Sequence, residues 1–261
     1  MNKVITQIDS RGVAQVTLNN PDKHNAFDDQ MIIQLTEAFH TVAANPDVRI
    51  MLLKSEGKSF SAGADLEWMK RMASYSYQQN LNDARALAAM LKALHQMPIP
   101  TIARVQGAAF GGAVGLISCC DIALASSNAS FALSEVKIGL VPSTISPYVI
   151  AAIGERHAKR YFMTAERFDA NTALQISLVH EAVEEQFLDD KVEQLITAIL
   201  SNGPEAVVAA KQLVFAVSGK AIDSSLIEHT CEVIAGIRVS AQGQEGLSAF
   251  LDKRKPHWLK D

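Results

Sequence analysis

Twice in this chain a strand gives way to a helix through a turn with almost no bulky side chain: SAGAD at 61–65 and GGAVG at 111–115. Such turns constrain the fold strongly. They set a strand end and a helix start a few residues apart, and they let the main chain approach a ligand or another backbone. Helix N-termini expose amides with no intrahelical acceptor. Two turns of this kind could therefore each give one N–H to the same oxygen.

The rest of the chain fits an α/β pattern around them. VITQI and VAQVTL form a hairpin across DSRG, and the loop NNPDKHNAF follows. Ile32, Leu35, Phe39 and Val42 recur at helical spacing after a cap at Asp28 or Asp29, and Asn45-Pro46-Asp47 ends that helix. RIMLLKS reads as a buried strand, GKSFSAGAD as a loop, LEWMKRMA as the start of a helix, and YQQNLNDARALAAMLKALHQM as a long amphipathic one. Pro98 and Pro100 interrupt before the strand TIARVQG. A short helix opens in the glycine segment, and DIALAS and SFALSE are further extended pieces. From about Asp189 onward the strands run out. Four helical patterns close the chain, which divides at a soft boundary into residues 1–195 and a helical region, 196–261.

Composition narrows the function. A net charge of −4 gives no general attraction for nucleic acid, and no apolar run approaches a membrane span. The N-terminus MNKVITQIDS has no signal-peptide core, and three cysteines form neither a disulfide framework nor a metal spacing. These features together imply a cytoplasmic protein. The seven histidines are scattered, and none is assigned to catalysis.

Three readings of the glycines compete. G-G-A-V-G is not the G-x-G-x-x-G of a dinucleotide site, and Leu-Ile after Gly115 excludes a P-loop. The third reading is an oxyanion site made of main-chain amides. Tight strand–helix packing is the alternative.

FSAGADL (60–66), GAAFGGAVG (107–115), SEVKIGLVP (134–142) and GLSAFLDKRKPHW (246–258) resemble the crotonase, or enoyl-CoA hydratase/isomerase, superfamily, in order and over nearly the whole chain. The resemblance implies a spiral of ββα turns with a C-terminal region used in trimerisation, as a trimer or a dimer of trimers. It implies an acyl-CoA thioester substrate and no separate cofactor or metal. Carried over by motif position, the amides of Ala64 and Gly112 are the oxyanion donors and Glu135 is the acid–base residue. Ala26, Ala62, Leu66, Phe110, Gly111, Gly115 and Pro142 are expected around the substrate. Asp65 is read there mainly as a helix cap. Lys23 and the cluster Lys253, Arg254, Lys255 are candidates for the CoA phosphates.

One departure matters for the chemistry. Hydratases of this family carry a second glutamate where this chain has Gly115. A single carboxylate could move a proton between C4 and C2, as in Δ3,Δ2-enoyl-CoA isomerisation, or serve a hydration. A crotonase fold that binds acyl-CoA without turnover is a third reading. FGGAVGLISCCDIA and the block from Phe131 to Ala170 look most like methylglutaconyl-CoA and carboxygeranoyl-CoA hydratases, which favours the hydratase. A branched, carboxylated acyl group would then use the space left at Gly115 and a cation among Lys70, Arg71 and Arg160. Ser177 stands where the family usually has glycine.

Overall fold

The computed structural model describes residues 2–259. Val4–Ile8 (β1) and Val13–Leu18 (β2) form the antiparallel hairpin, and Asp29–Ala44 (α1) follows, with the Asp28 carboxylate capping it through the Met31 amide at 2.8 Å. From there the chain winds in ββα turns. Ile50–Ser55 (β3) is followed by Ser59–Ala62 (β4), then by Leu66–Met72 (α2) and Tyr77–His95 (α3). Thr101–Val105 (β5) and Ala108–Phe110 (β6) lead into Gly112–Cys119 (α4). Ile122–Ser126 (β7) and Ser130–Ala132 (β8) lead through a 3₁₀ turn, Glu135–Ile138, into Ser146–Thr164 (α5). Phe168–Asp169 (β9), Ala170–Gln175 (α6) and Glu181–Val183 (β10) complete the core.

The first strand of each turn joins one sheet and the second joins another. The six-stranded sheet runs β1-β2-β3-β5-β7-β10, parallel except for β1. The four-stranded sheet runs β4-β6-β8-β9, parallel except for β9. This is the expected spiral.

Both faces of the larger sheet are buried at its central strands, which is why β3 reads as a continuous apolar run. Met51 and Leu53 of β3 face the main core, whereas Ile50 and Leu52 face a second cluster with Leu188, Val192 and Ile196 of Glu185–Leu200 (α7). The boundary expected near residue 195 falls inside α7, and the helix breaks only at Ser201–Gly203. Beyond it lie Pro204–Val217 (α8), Ser224–Val239 (α9) and Ala241–Leu251 (α10). Lys211 on α8 ties this region to the core, reaching Asp121 at 2.6 Å and the Ile99 carbonyl at 2.9 Å.

One local reading changes. The segment read as a loop, GKSFSAGAD, contains β4, whose pairing with β6 comes from distant chain. The stretch after Pro142 holds α5, a helix broken at Gly154, where φ is 74° and ψ 159°.

Candidate active site

Three consecutive spiral turns bring three chain segments to one place. In the small sheet Ala62 is in register with Phe110, and Phe110 with Ala132. Neighbouring strands lie about 4.8 Å apart. Two residues beyond Ala62 and Phe110 come Ala64 and Gly112, and three beyond Ala132 comes Glu135. The parallel register thus delivers all three expected residues to the C-terminal edge of one sheet. They share the wall of a cleft of about 460 Å³.

The amides of Ala64 and Gly112 are both unengaged: neither donates to any acceptor among the described residues. Gly112 is the first residue of α4, where an amide has no partner within the helix. Phe27 braces both turns. Its amide donates to the Gly63 carbonyl at 2.9 Å, its carbonyl accepts from Asp65 N at 2.7 Å, and its ring lies 3.4 Å from where a Cβ on Gly112 would be.

Glu135 starts the 3₁₀ turn, and Gly139, with φ 76°, closes it by donating back to the Glu135 and Val136 carbonyls. The E-x-x-x-G spacing is that of this turn, because the closing residue needs a left-handed backbone. The Glu135 Oε2 is buried with no hydrogen-bond partner among the described residues. Burial pushes its carboxyl pKa above the ordinary glutamate value. Gly111 adopts φ 58° and ψ −118°, and a Cβ there would sit 3.2 Å from Glu135 Oε1. A side chain at 111 would press on the carboxylate.

The remaining expected residues divide. Gly111 and Pro142 line the cleft with Ala64, Gly112 and Glu135. Ala26 is buried behind it, and Ala62 is held in β4 by a bond from its amide to the His24 carbonyl. Phe110 points elsewhere, under the Arg167 guanidinium at 4.8 Å. Leu66 is 71% exposed on the outer side of α2. Asp65 caps α2 by accepting from the Glu67 and Trp68 amides at 3.0 and 3.1 Å, as expected. Lys23 reaches Asp65 at 2.7 Å. Arg254 is engaged by Glu245 at 2.7 and 2.8 Å.

The space expected at Gly115 does not exist. Gly115 is buried outside the cleft lining, and Ile145, which belongs to the lining, packs onto it and separates it from the cleft. The proposed carboxylate partners also fail: Lys70 pairs with Glu67, Arg71 with Asp29 and Arg160 with Glu166, all on exposed surface. The cation in the cleft lining is Lys137. Helical spacing from α2, which carries Trp68, Met69 and Met72 into the lining, was a readable signal for the apolar wall; nothing in the sequence pointed to Phe27 or Ile145.

Among the described residues no three His, Cys, Asp or Glu side chains form a cluster fit for a metal, and no helix is long and apolar enough to cross a membrane.

Fold and cleft together define a crotonase-type α/β protein. The family model for enoyl-CoA hydratase/isomerase matches residues 9–261. A crystal structure of an enoyl-CoA hydratase from Shewanella pealeana superposes with a TM-score of 0.94 at 48% identity, covering 98% of this chain and 96% of that one. An enoyl-CoA hydratase structure from Mycobacterium smegmatis gives 0.92 at 32% identity, with 99% of both chains covered. The crotonyl-CoA hydratase of Syntrophomonas wolfei is 31% identical over 95% of this chain and 94% of its own. The chain belongs to the enoyl-CoA hydratase/isomerase family.

Proposed function

We propose that the chain hydrates a 2-enoyl-CoA thioester. The observation that carries this reading is the buried, unpartnered Glu135 carboxylate beside the two unengaged amides of Ala64 and Gly112. The relatives named as enoyl-CoA and crotonyl-CoA hydratases support the direction of the chemistry.

In this reading the thioester oxygen accepts from both amides, which stabilise negative charge as it develops there. Glu135 takes a proton from water, the hydroxyl oxygen bonds to C3, and the C2–C3 π electrons shift to form the enolate. The protonated carboxyl then returns its proton to C2 as the enolate collapses. One carboxylate serves both transfers, and its raised pKa brings it closer to the working range of an acid–base group.

Among the described residues Glu135 is the sole carboxylate in the lining, which also favours a second reading. An isomerase needs only that one group, taking a proton from C2 of a 3-enoyl thioester and delivering it to C4. The substrate portion of the lining is apolar, with Trp68, Met69, Met72 and Leu87. A carboxylated acyl group such as 3-methylglutaconyl would rely on Lys137. The C-terminal helices support the trimeric reading: α8 and α9 bury no residue in the single chain and expose Val214, Ile227, Ile234 and Val239.

The deciding experiment offers crotonyl-, 3-methylglutaconyl- and 3-hexenoyl-CoA separately in ¹⁸O-labelled water. Incorporation of ¹⁸O at C3 of the first or second is the expected result. Conversion of 3-hexenoyl-CoA to its 2-isomer with no ¹⁸O uptake from any of the three would replace hydratase by isomerase.

A further inference from the structure

Trp68 is the one residue of α2 that is buried, and it lines the cleft together with Met69, Met72 and Leu87. Its indole Nε1 donates to Asp83 Oδ1, on α3, at 3.2 Å. Among the described residues this is the only side-chain hydrogen bond between α2 and α3, and the only one that the Asp83 carboxylate accepts. Asp83 is partly buried, and it does not line the cleft. Burial raises its pKa while the indole N–H works against that rise. Leu87 lies one helical turn further along the same face of α3, in the lining, and Leu91 a turn beyond it, 3.5 Å from where a Cβ on Gly115 would be. Asp83 is thus the polar end of an otherwise apolar stripe, and the indole is what it holds.

That bond has a consequence for the shape of the cleft. The χ2 torsion of a tryptophan is broad and admits two opposite ring orientations. Met69 and Met72 beside it are unbranched side chains that adapt to the space left to them, so they separate the two orientations weakly. An indole N–H withdrawn from water needs an acceptor, and Asp83 supplies one on the α3 side only. The carboxylate therefore selects one orientation of the ring.

We infer that Asp83 is a positioning residue that fixes the Trp68 indole as a wall of the cleft, closing it against longer acyl chains. The inference rests on the acyl-CoA reading of the cleft and adds to it what limits the acyl group. Asp83 acts on the substrate through the ring alone. Without the bond the indole turns, the methionines follow it, and the apolar end of the cleft lengthens.

The test measures binding of butyryl-CoA and octanoyl-CoA, which lack the reacting double bond. The proteins are wild type, Asp83→Leu, Asp83→Asn, Trp68→Phe and the double variant Trp68→Phe/Asp83→Leu. Tryptophan emission is recorded for each, and the Trp68→Phe spectrum supplies the contribution of Trp258, the other tryptophan of the chain. Asp83→Leu is expected to shift the ratio of the two dissociation constants about tenfold in favour of octanoyl-CoA, the scale of discrimination an apolar pocket achieves, and to alter the Trp68 emission. Asp83→Asn, whose amide oxygen still accepts, should stay within about twofold of the wild-type ratio. In the Trp68→Phe background the leucine substitution should leave the ratio unchanged, because the group it acts through is gone. Asp83→Ala replaces the leucine variant if that one does not fold. An unchanged ratio or unchanged emission in Asp83→Leu, or the same shift with and without Trp68, would overturn the inference. If wild type binds neither ester, the acyl-CoA reading itself fails. The emission then decides alone: altered in the leucine variant but not the asparagine one, it supports the hold on the ring, and unaltered in both it overturns it.

Discussion

A Cβ on Gly115 would meet the Cβ of Ile145 at 2.8 Å, with the Ile145 Cγ2 closer still. The missing side chain at 115 is therefore not an opening in the cleft. Ile145, itself 2% exposed, fills that volume and lines the cleft. Gly115→Ala should cost about 1–3 kcal/mol, the range for overpacking a well-filled interior. Truncating the obstacle in Gly115→Ala/Ile145→Ala should recover part of that loss relative to the sum of the single changes. Urea unfolding of the four proteins measures the coupling. Strict additivity would show that the two positions do not compete for one space.

Glu135 carries a pH signature in stability. Its folded-state pKa is raised above the ordinary 4.5 because burial disfavours the charged form. For an acid shifted upward, the native state binds more protons than the unfolded state between the two values. Stability therefore falls as pH rises through that window, and above it the ionised carboxylate is a standing cost. Glu135→Gln should be more stable than wild type at neutral pH and should lose the advantage below about pH 4. Thermal melts from pH 4 to 8 check the sign, and a variant less stable at neutral pH would contradict the burial argument.

The helix α1, its Asp28 cap and the 3₁₀ turn from Glu135 to Gly139 were readable because each is a local pattern: apolar spacing, a capping oxygen, a fixed step to a left-handed residue. The motif order likewise points to Ala64, Gly112 and Glu135. What remained hidden is non-local. Strands β4, β6 and β8 have only four, three and three residues, too few for a period to show, and they exist because the parallel partners lie beside them. The Ile145 plug and the Lys23–Asp65 pair, the latter 42 residues apart in sequence, depend on spiral turns stacking in register.

Lys211 and Asp121 hold α8 to the core. Lys211 keeps only 9% of its side chain exposed, and Asp121 Oδ2 also accepts from the amide and hydroxyl of Thr101, at the start of β5. Lys211→Met would leave the Asp121 carboxylate without its cation in a partly enclosed site. The expected cost is about 1–3 kcal/mol, together with faster proteolysis within residues 201–223. Unaltered stability and proteolysis would show that apolar packing alone docks the helical region.

The central claim is that one carboxylate, Glu135, carries the proton in a cleft whose anion site is made of main-chain amides. The most direct measurement compares wild type and Glu135→Gln on crotonyl-CoA in D₂O, following product by mass and binding by titration with a non-reactive acyl-CoA. The wild type should yield 3-hydroxybutyryl-CoA with one deuterium at C2, and the variant should bind comparably but turn over at least about 10²-fold more slowly. Turnover by Glu135→Gln within about threefold of wild type would contradict the account, since general acid–base assistance of the size assigned to this carboxylate could not then be coming from it.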